Sequence, residues 1–429
     1  MNRTIQNLAM LFAVSFALDS VAAEEIPATG DARPELVSLD AWMQSFMAEH
    51  NIPGGALAVV RDGQLVYARG FGFADREANE PVMPESLFRI ASVSKPITAV
   101  AVLKLAEQGQ LKLDDKVLDH LAYEPHFEDG GKLDERWNQV TLAHCLSHTG
   151  GWDRDQSYDP MFQALRMAKS MQVELPILPE QVIRYQLGQP LDCDPGSRYA
   201  YSNFGYCLLG RVIEKVTGQP YEKYVQDEIL KPLGIVRARI GGSLADQRAD
   251  GEVRYYDVKS GRGTAVVGPG AGKEDVPISY GVWRQETLDA HGGWIASAPD
   301  LARFAAAFDL VENGKRTRGG LLTAESVQSM FSPHAAIAPP KDNPNGASAH
   351  YGYGWTLKAE ENGHGEKATV ARHGGALACT AASLMHLEGG TNVAVLFNLG
   401  QSADGKFFGR QIEQPLTERI RAVSTWPKP

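Results

Sequence analysis

At 429 residues, with 43% hydrophobic and 22% charged side chains, the chain can bury a large core, which excludes wholesale disorder. A formal net charge of −10 argues against nucleic acid or an anionic membrane surface as the main partner and fits simple solubility. Four cysteines, Cys145, Cys193, Cys207 and Cys379, are too few for a disulfide scaffold and follow no metal-knuckle spacing. The apolar neighbours of Cys145, Cys207 and Cys379 suit small buried hydrophobes, one disulfide of undetermined pairing stays open, and no cofactor or metal is called for.

In chain order, Arg3, the apolar run Leu8 to Leu18 and the small residues Val21-Ala22-Ala23 read as an export signal over residues 1–23, shorter than a membrane span. Its removal deletes one Arg and one Asp and leaves the net charge at −10. This predicts an exported protein, periplasmic or secreted, with no stable membrane anchor. Residues 24–34 read as a loose polar arm. Over 35–50, Leu36, Leu39, Trp42, Met43, Phe46 and Met47 recur at helical spacing. Two strand-like runs, ALAVV and QLVYARGFGFA, flank Asp62-Gly63, a strong hairpin signal. A helical period begins at Ala91, and Gly109 offers its stop. Residues 112–235 continue mostly helical, 236–285 carry weak strand and turn signals, and Ser297-Ala298-Pro299-Asp300 opens a further helix to about Leu310. The last third holds four strand-like runs, GYGWTLKA, ATVARH, ALACTAASLMHL and TNVAVLFNL, and a closing helix from about Gly405 to Val423. Strands at both ends with helices between imply an α+β fold whose sheet is assembled from distant segments.

Two short motifs carry chemistry. Ser92-Val93-Ser94-Lys95 places a hydroxyl and an amine one helical turn apart, at the N-terminus of the helix after the first hairpin. A serine hydroxyl needs an adjacent base, and a buried lysine can serve as one. Alone, Ser92 as a helix cap with Lys95 in solvent is an equal reading. Tyr201-Ser202-Asn203 follows the turn Asp194-Pro195-Gly196 and precedes an apolar helical stretch. Its phenol can relay protons and its amide can orient a carbonyl, although a packed ring and a capping asparagine is the plainer reading of that motif by itself.

Together the motifs resemble the serine β-lactamase and penicillin-binding protein superfamily, nearest to class C β-lactamases and their esterase and D-aminopeptidase relatives. Phe88-Arg89-Ile90-Ala91, Leu146-Ser147-His148-Thr149-Gly150-Gly151, Pro195-Gly196-Ser197-Arg198-Tyr199 and Gly292-Gly293-Trp294 running into Asp300-Leu301-Ala302-Arg303-Phe304 support the resemblance, which spans about 35 to 420. It implies an antiparallel sheet flanked by helices, an α/β part over about 35–110 and 286–425, and a mostly helical subdomain over about 111–285, with the site between them. It assigns Ser92, Lys95 and Tyr201 to catalysis and Asn203 to substrate orientation.

The family also expects a Lys-Thr-Gly motif, or a variant, on a late strand. Lys259-Ser260-Gly261 reads as a hairpin turn and His291-Gly292-Gly293 precedes a helix, so the choice falls on His373-Gly374-Gly375, read as ending one strand before a long apolar one. By position, the N–H of Ala376 joins that of Ser92 as the oxyanion hole. A histidine there, largely neutral at pH 7, replaces a permanent cation and disfavours β-lactams and peptidoglycan peptides relative to esters, amides and amine-bearing peptides. His148 is assigned to holding a loop. Trp152, Tyr158 and Phe162 are candidate substrate contacts on a cleft rim, with a surface helical insertion equally compatible. The expected substrate is a small ester, amide, peptide or lactam; the oligomeric state is open. The rivals are a true β-lactamase or D,D-peptidase, and a penicillin-binding sensor or inactive relative.

Overall fold

The structure, a computed structural model, describes residues 26–128, 130–258, 261–309, 320–338, 349–361 and 367–427. The expected export signal and Lys259-Ser260 lie outside them.

Period-2 alternation builds the centre. Strands β1 (Gly54–Arg61) and β2 (Gln64–Asp75) pair antiparallel through a two-residue turn. Asp62 and Gly63 take φ of 50° and 71°, a left-handed turn that an aspartate tolerates and a glycine adopts without strain. In β1, Ala56, Ala58 and Val60 join the apolar cluster on one face, while Leu57 and Val59 join the cluster on the other. Both faces of the sheet are therefore covered, and the central strands are buried almost throughout.

Helix α1 (Val37–Glu49) packs Leu39, Met43 and Met47 on one face, beside the C-terminal helix described below. The opposite face receives α2 (Ser94–Glu107), in which every residue from Ser94 to Leu103 is buried. A helix covered all round is a central helix, so its polar members must find partners inside the protein. Further along lie α3 (Asn203–Thr217), the short strand β3 (Trp294–Ala296) and α4 (Ala298–Ala306), the last capped by the Ser297 side chain, which accepts from the Asp300 N–H.

The remaining central strands are β4 (Thr356–Glu361), β5 (Lys367–Leu377), β6 (Thr380–Leu387) and β7 (Thr391–Phe397), and α5 (Phe408–Arg421) closes the chain. Among the described residues the sheet has 10 strands; its main path runs Ala28–Thr29, β2, β1, β7, β6, β5, β4, Ala349–Tyr351, Ala335–Ile337, all pairs antiparallel. The amino-terminal strands thus dock on the carboxy-terminal ones through β1 and β7.

Two expectations change. The stretch read as a loose arm contributes a strand, Ala28–Thr29, paired with Phe71 and Gly70, because Gly30 and Thr29 find partners on Arg69 and Val82. The run ALACTAASLMHL is not one strand. Leu377 pairs with Thr380, so β5 continues through His373-Gly374-Gly375-Ala376 and turns at Ala378-Cys379. The sheet ladder decides the break where the sequence shows neither glycine nor proline. All four cysteines are free, with Cys145, Cys207 and Cys379 buried.

Candidate active site

The turn that presents Ser92 is fixed from both sides. Phe88-Arg89 pairs with β3, and the Ile90 N–H donates to the Trp294 carbonyl at 3.0 Å. The Arg89 guanidinium is buried and donates to the carbonyls of Ser279 and Gly242 at 2.6 and 2.9 Å. Ala91 then adopts φ of 45°, a left-handed conformation that costs an alanine of the order of 1 kcal/mol and persists only where its surroundings impose it. Ser92 follows in a single 3₁₀ turn (Ala91–Val93) that runs into α2.

Lys95 lies one turn on, wholly buried. Its Nζ stands 3.1 Å from Ser92 Oγ, 2.7 Å from Asn203 Oδ1 and 3.0 Å from the His291 carbonyl oxygen. Tyr201 completes the group: its ring centroid lies 4.8 Å from Lys95 Nζ, and its phenol is close enough to Ser92 for the serine to lower the phenol's proton affinity. The Ser202 hydroxyl caps α3 by accepting from the Gly205 N–H, which leaves Tyr201 on the extended segment just before the helix. Residues 92, 95, 201 and 203 therefore converge.

Burial controls the charges. It pushes the Lys95 ammonium well below its ordinary range, with Asp159 opposing that fall and Arg154 adding to it. It pushes the Tyr201 phenol up to about 12. His373 is held down to about 3, chiefly by burial and then by Lys95. Its Nδ1 lies 2.9 Å from the Gly374 carbonyl oxygen, so Nδ1 carries the proton and Nε2 accepts from the Tyr351 hydroxyl, also at 2.9 Å. On β5, the ladder to β4 ends at Arg372; beyond it β6 still pairs along one edge of 373–377, and no strand among the described residues pairs with the edge that β4 leaves. Gly374 is exposed and Ala376 half-buried along that edge.

His148 holds the 200–202 loop, its carbonyl accepting from the Ala200 N–H and its Nδ1 from the Ser202 N–H, and its ring lies 4.3 Å from that of Tyr201 and 4.5 Å from that of Tyr351. The aromatic candidates for the rim divide. Trp152 is 3% exposed and packs between Trp137 and Phe204, so it is core and not rim. Tyr158 is engaged by Gln186 and by the Arg166 guanidinium. Phe162 is 40% exposed, edge-on to Trp283. The rings of Phe162 and Trp283 line a cavity of about 410 Å³ with Met161, Leu165, Met167 and Val282; its lining includes Pro160, the neighbour of Asp159 in the chain.

The sequence also left Asp159, Arg154, Tyr351 and the His291 carbonyl unmarked. Asp159 accepts from Asn203 Nδ2 at 2.6 Å, and Arg154 lies over the Tyr201 ring at 4.7 Å. An Asp-Pro step in a polar segment reads as any turn, and a backbone carbonyl leaves no trace in residue type.

Comparison with known proteins points the same way. Esterase EstB of Burkholderia gladioli is 34% identical over 231 residues, 53% of this chain and 56% of EstB; the chain spans about half the length of the curated relatives it matches. The octameric penicillin-binding protein homologue from Pyrococcus abyssi superposes with a TM-score of 0.63 at 27% identity, covering 85% of this chain and 73% of that one. EstCE1, a hydrolase with promiscuous acyltransferase activity, gives 0.66 at 22% identity over 91% of this chain and 99% of its own, a likeness of fold. Residues 39–413, from α1 to the middle of α5, match the Beta-lactamase family, and the chain belongs to it.

Proposed function

We propose that the chain is an exported serine hydrolase that cleaves ester or amide bonds through an acyl-enzyme on Ser92. One observation carries the reading: Lys95 Nζ has three neighbours, of which Asn203 Oδ1 and the His291 oxygen can only accept. A neutral amine spends its two N–H bonds on those two, and its lone pair is left facing the Ser92 hydroxyl. Burial favours that neutral form.

The steps follow. Lys95 takes the Ser92 proton as Oγ bonds to the substrate carbonyl carbon, whose oxygen becomes an oxyanion held by the N–H groups of Ser92 and Ala376. The proton passes through Tyr201, a neutral phenol at pH 7, to the leaving oxygen or nitrogen as its bond to carbon breaks. Water then enters by the reverse relay and releases the acid. Asn203 and the backbone N–H and C=O groups of Gly374 and Gly375 orient the substrate along the free edge of β5. The cavity beside Phe162 and Trp283 takes an apolar part of the substrate. A neutral His373 supplies no permanent cation, which favours uncharged esters and amides over carboxylate-bearing lactams.

The test uses the mature protein and p-nitrophenyl butyrate. Ser92→Ala is expected to lower kcat/KM by at least about 10³-fold, and a fluorophosphonate is expected to add its mass at Ser92. Full activity in Ser92→Ala would end the reading. A stable adduct with no turnover of any ester, amide or lactam would favour a sensor, and nitrocefin turnover matching ester turnover would favour a true β-lactamase.

A further inference from the structure

Two charged side chains that the proposed chemistry does not consume stand against the residues that carry it. The Asp159 carboxylate is half-buried among them: Oδ2 accepts from Asn203 Nδ2 at 2.6 Å, and Oδ1 accepts from the Met161 N–H at 3.1 Å; desolvation raises its proton affinity, and these bonds with Arg154 and Lys95 oppose the rise. A carboxylate only accepts, so it binds the amide nitrogen of Asn203 and turns the amide oxygen onto Lys95. Arg154 covers the Tyr201 ring at 4.7 Å, stands 3.9 Å from Asp159 Oδ2, and is 41% exposed.

We propose that Asp159 and Arg154 are a positioning pair of opposite sign that sets the proton affinity of the Lys95–Tyr201 base. Asp159 locks the Asn203 amide and puts a negative charge behind it, while Arg154 puts a positive charge on the Tyr201 face. The proposal rests on the catalytic reading given above for Lys95 and Tyr201.

The signs follow from Coulomb's law. A carboxylate stabilises the protonated amine and the neutral phenol; a guanidinium does the reverse. The other groups that face this amine contribute little that can change. Ser92 is on its own turn, and the Tyr201 and Tyr206 rings lie 4.8 and 5.6 Å away. The imidazoles of His148, His291 and His373 are kept neutral by burial. Arg410 acts on Tyr201 with the same sign as Arg154.

The experiment is the pH dependence of kcat/KM for p-nitrophenyl butyrate, whose lack of charge leaves the enzyme's groups to set the profile. The active enzyme needs a neutral amine, so the acidic limb follows proton loss from it. Asp159→Asn deletes the charge and keeps one acceptor oxygen, which can still bind Asn203 Nδ2 at the cost of the bond from the Met161 N–H, and should move that limb down by about one pH unit. Arg154→Met should move it up, by less than about one unit because the side chain is partly exposed. The double variant should return towards wild type. Asp159→Ala, which also frees Asn203, should lose a further factor of about 10 in kcat at its optimum that Asp159→Asn retains. Limbs that stay put in both single variants, or move in one direction, overturn the proposal. Arg154 is partly exposed, so its variant remains informative if an Asp159 variant folds poorly. Activity that survived Ser92→Ala would defeat the catalytic reading instead, so the two failures are distinguishable.

Discussion

The tripeptide His-Gly-Gly occurs twice, at 291–293 and 373–375, and the two copies flank one turn. The first is a helical turn that enters β3; it gives Lys95 a backbone carbonyl, while the His291 imidazole is buried with no hydrogen-bond partner for Nε2 among the described residues. The second lies within β5, and its imidazole is tied to Tyr351. A methyl group on Gly375 would sit 2.1 Å from the Ile90 carbonyl oxygen, and the nearest heavy atom to one on Gly292 is Ala91 C at 3.8 Å. The strained Ile90-Ala91-Ser92 turn is thus held between two glycine-bearing segments. The same three letters serve differently because one copy offers its backbone polar groups and the other offers close approach.

The largest expected effect separates the glycines within each copy. The second glycine of each pair has no room: a Cβ would stand 2.1 Å from Ile90 O at Gly375 and 2.6 Å from Gln285 O at Gly293, both backbone atoms. Gly375→Ala and Gly293→Ala should each shift the nucleophile turn and lower kcat/KM for p-nitrophenyl butyrate by about 10²-fold or more. Overpacking of this kind also costs about 1–3 kcal/mol, visible as a lower Tm. Wild-type kinetics in Gly375→Ala would mean that β5 does not brace the turn.

How much of this was legible in sequence depended on separation along the chain. Ser92 and Lys95 are three residues apart, so helical geometry alone joined them. Asp62-Gly63 announced its hairpin by residue type. Asn203 and His291 reach Lys95 across 108 and 196 positions, and no periodicity encodes such contacts. Tyr201 and Asn203 were found through the family motif, not through spacing. Asp159 carried no motif, and so it was missed. Trp152 misled because an aromatic residue in a polar segment looks like a contact surface, whereas Trp137 and Phe204 bury it. The Ala378-Cys379 turn was hidden because β6 pairs back on β5 without any turn-forming residue.

The next effect in size concerns the two histidines as bases. The His373 imidazole falls from 6.5 to about 3 on folding, and His291 falls well below 6.5, in both cases chiefly by burial. A lowered histidine binds its proton more readily in the unfolded chain, so its stabilising contribution is complete above about pH 6.5 and is lost as pH falls towards the folded value. Each such proton gives a slope of about 1.4 kcal/mol per pH unit at most. The urea midpoint of the wild type should therefore fall between pH 6.5 and pH 4. His373→Gln should flatten that fall by one proton while leaving the pH profile of kcat/KM between 5 and 8 unchanged in shape. A limb in that range that disappeared in His373→Gln would show the second copy titrating in the working enzyme, unlike the first.

The smallest effect belongs to the first glycine of each copy. Neither Gly292 nor Gly374 needs a positive φ, so an alanine is conformationally permitted at both. A Cβ at Gly292 meets nothing nearer than 3.8 Å, and one at Gly374 meets only Glu413 Oε1 at 3.4 Å, in ordinary contact. That oxygen already accepts from the Ser383 hydroxyl at 2.9 Å, which keeps the carboxylate on the β6 side of β5. Gly292→Ala and Gly374→Ala should then hold kcat/KM within about threefold of wild type, and each should gain up to about 1 kcal/mol by restricting the unfolded chain. If Gly374→Ala lost as much activity as Gly375→Ala while its Tm rose, substrate would need the space beside the Cα of residue 374 and not only its backbone polar groups. The second copy would then combine backbone bracing with a steric demand from substrate, a role that the buried first copy cannot share.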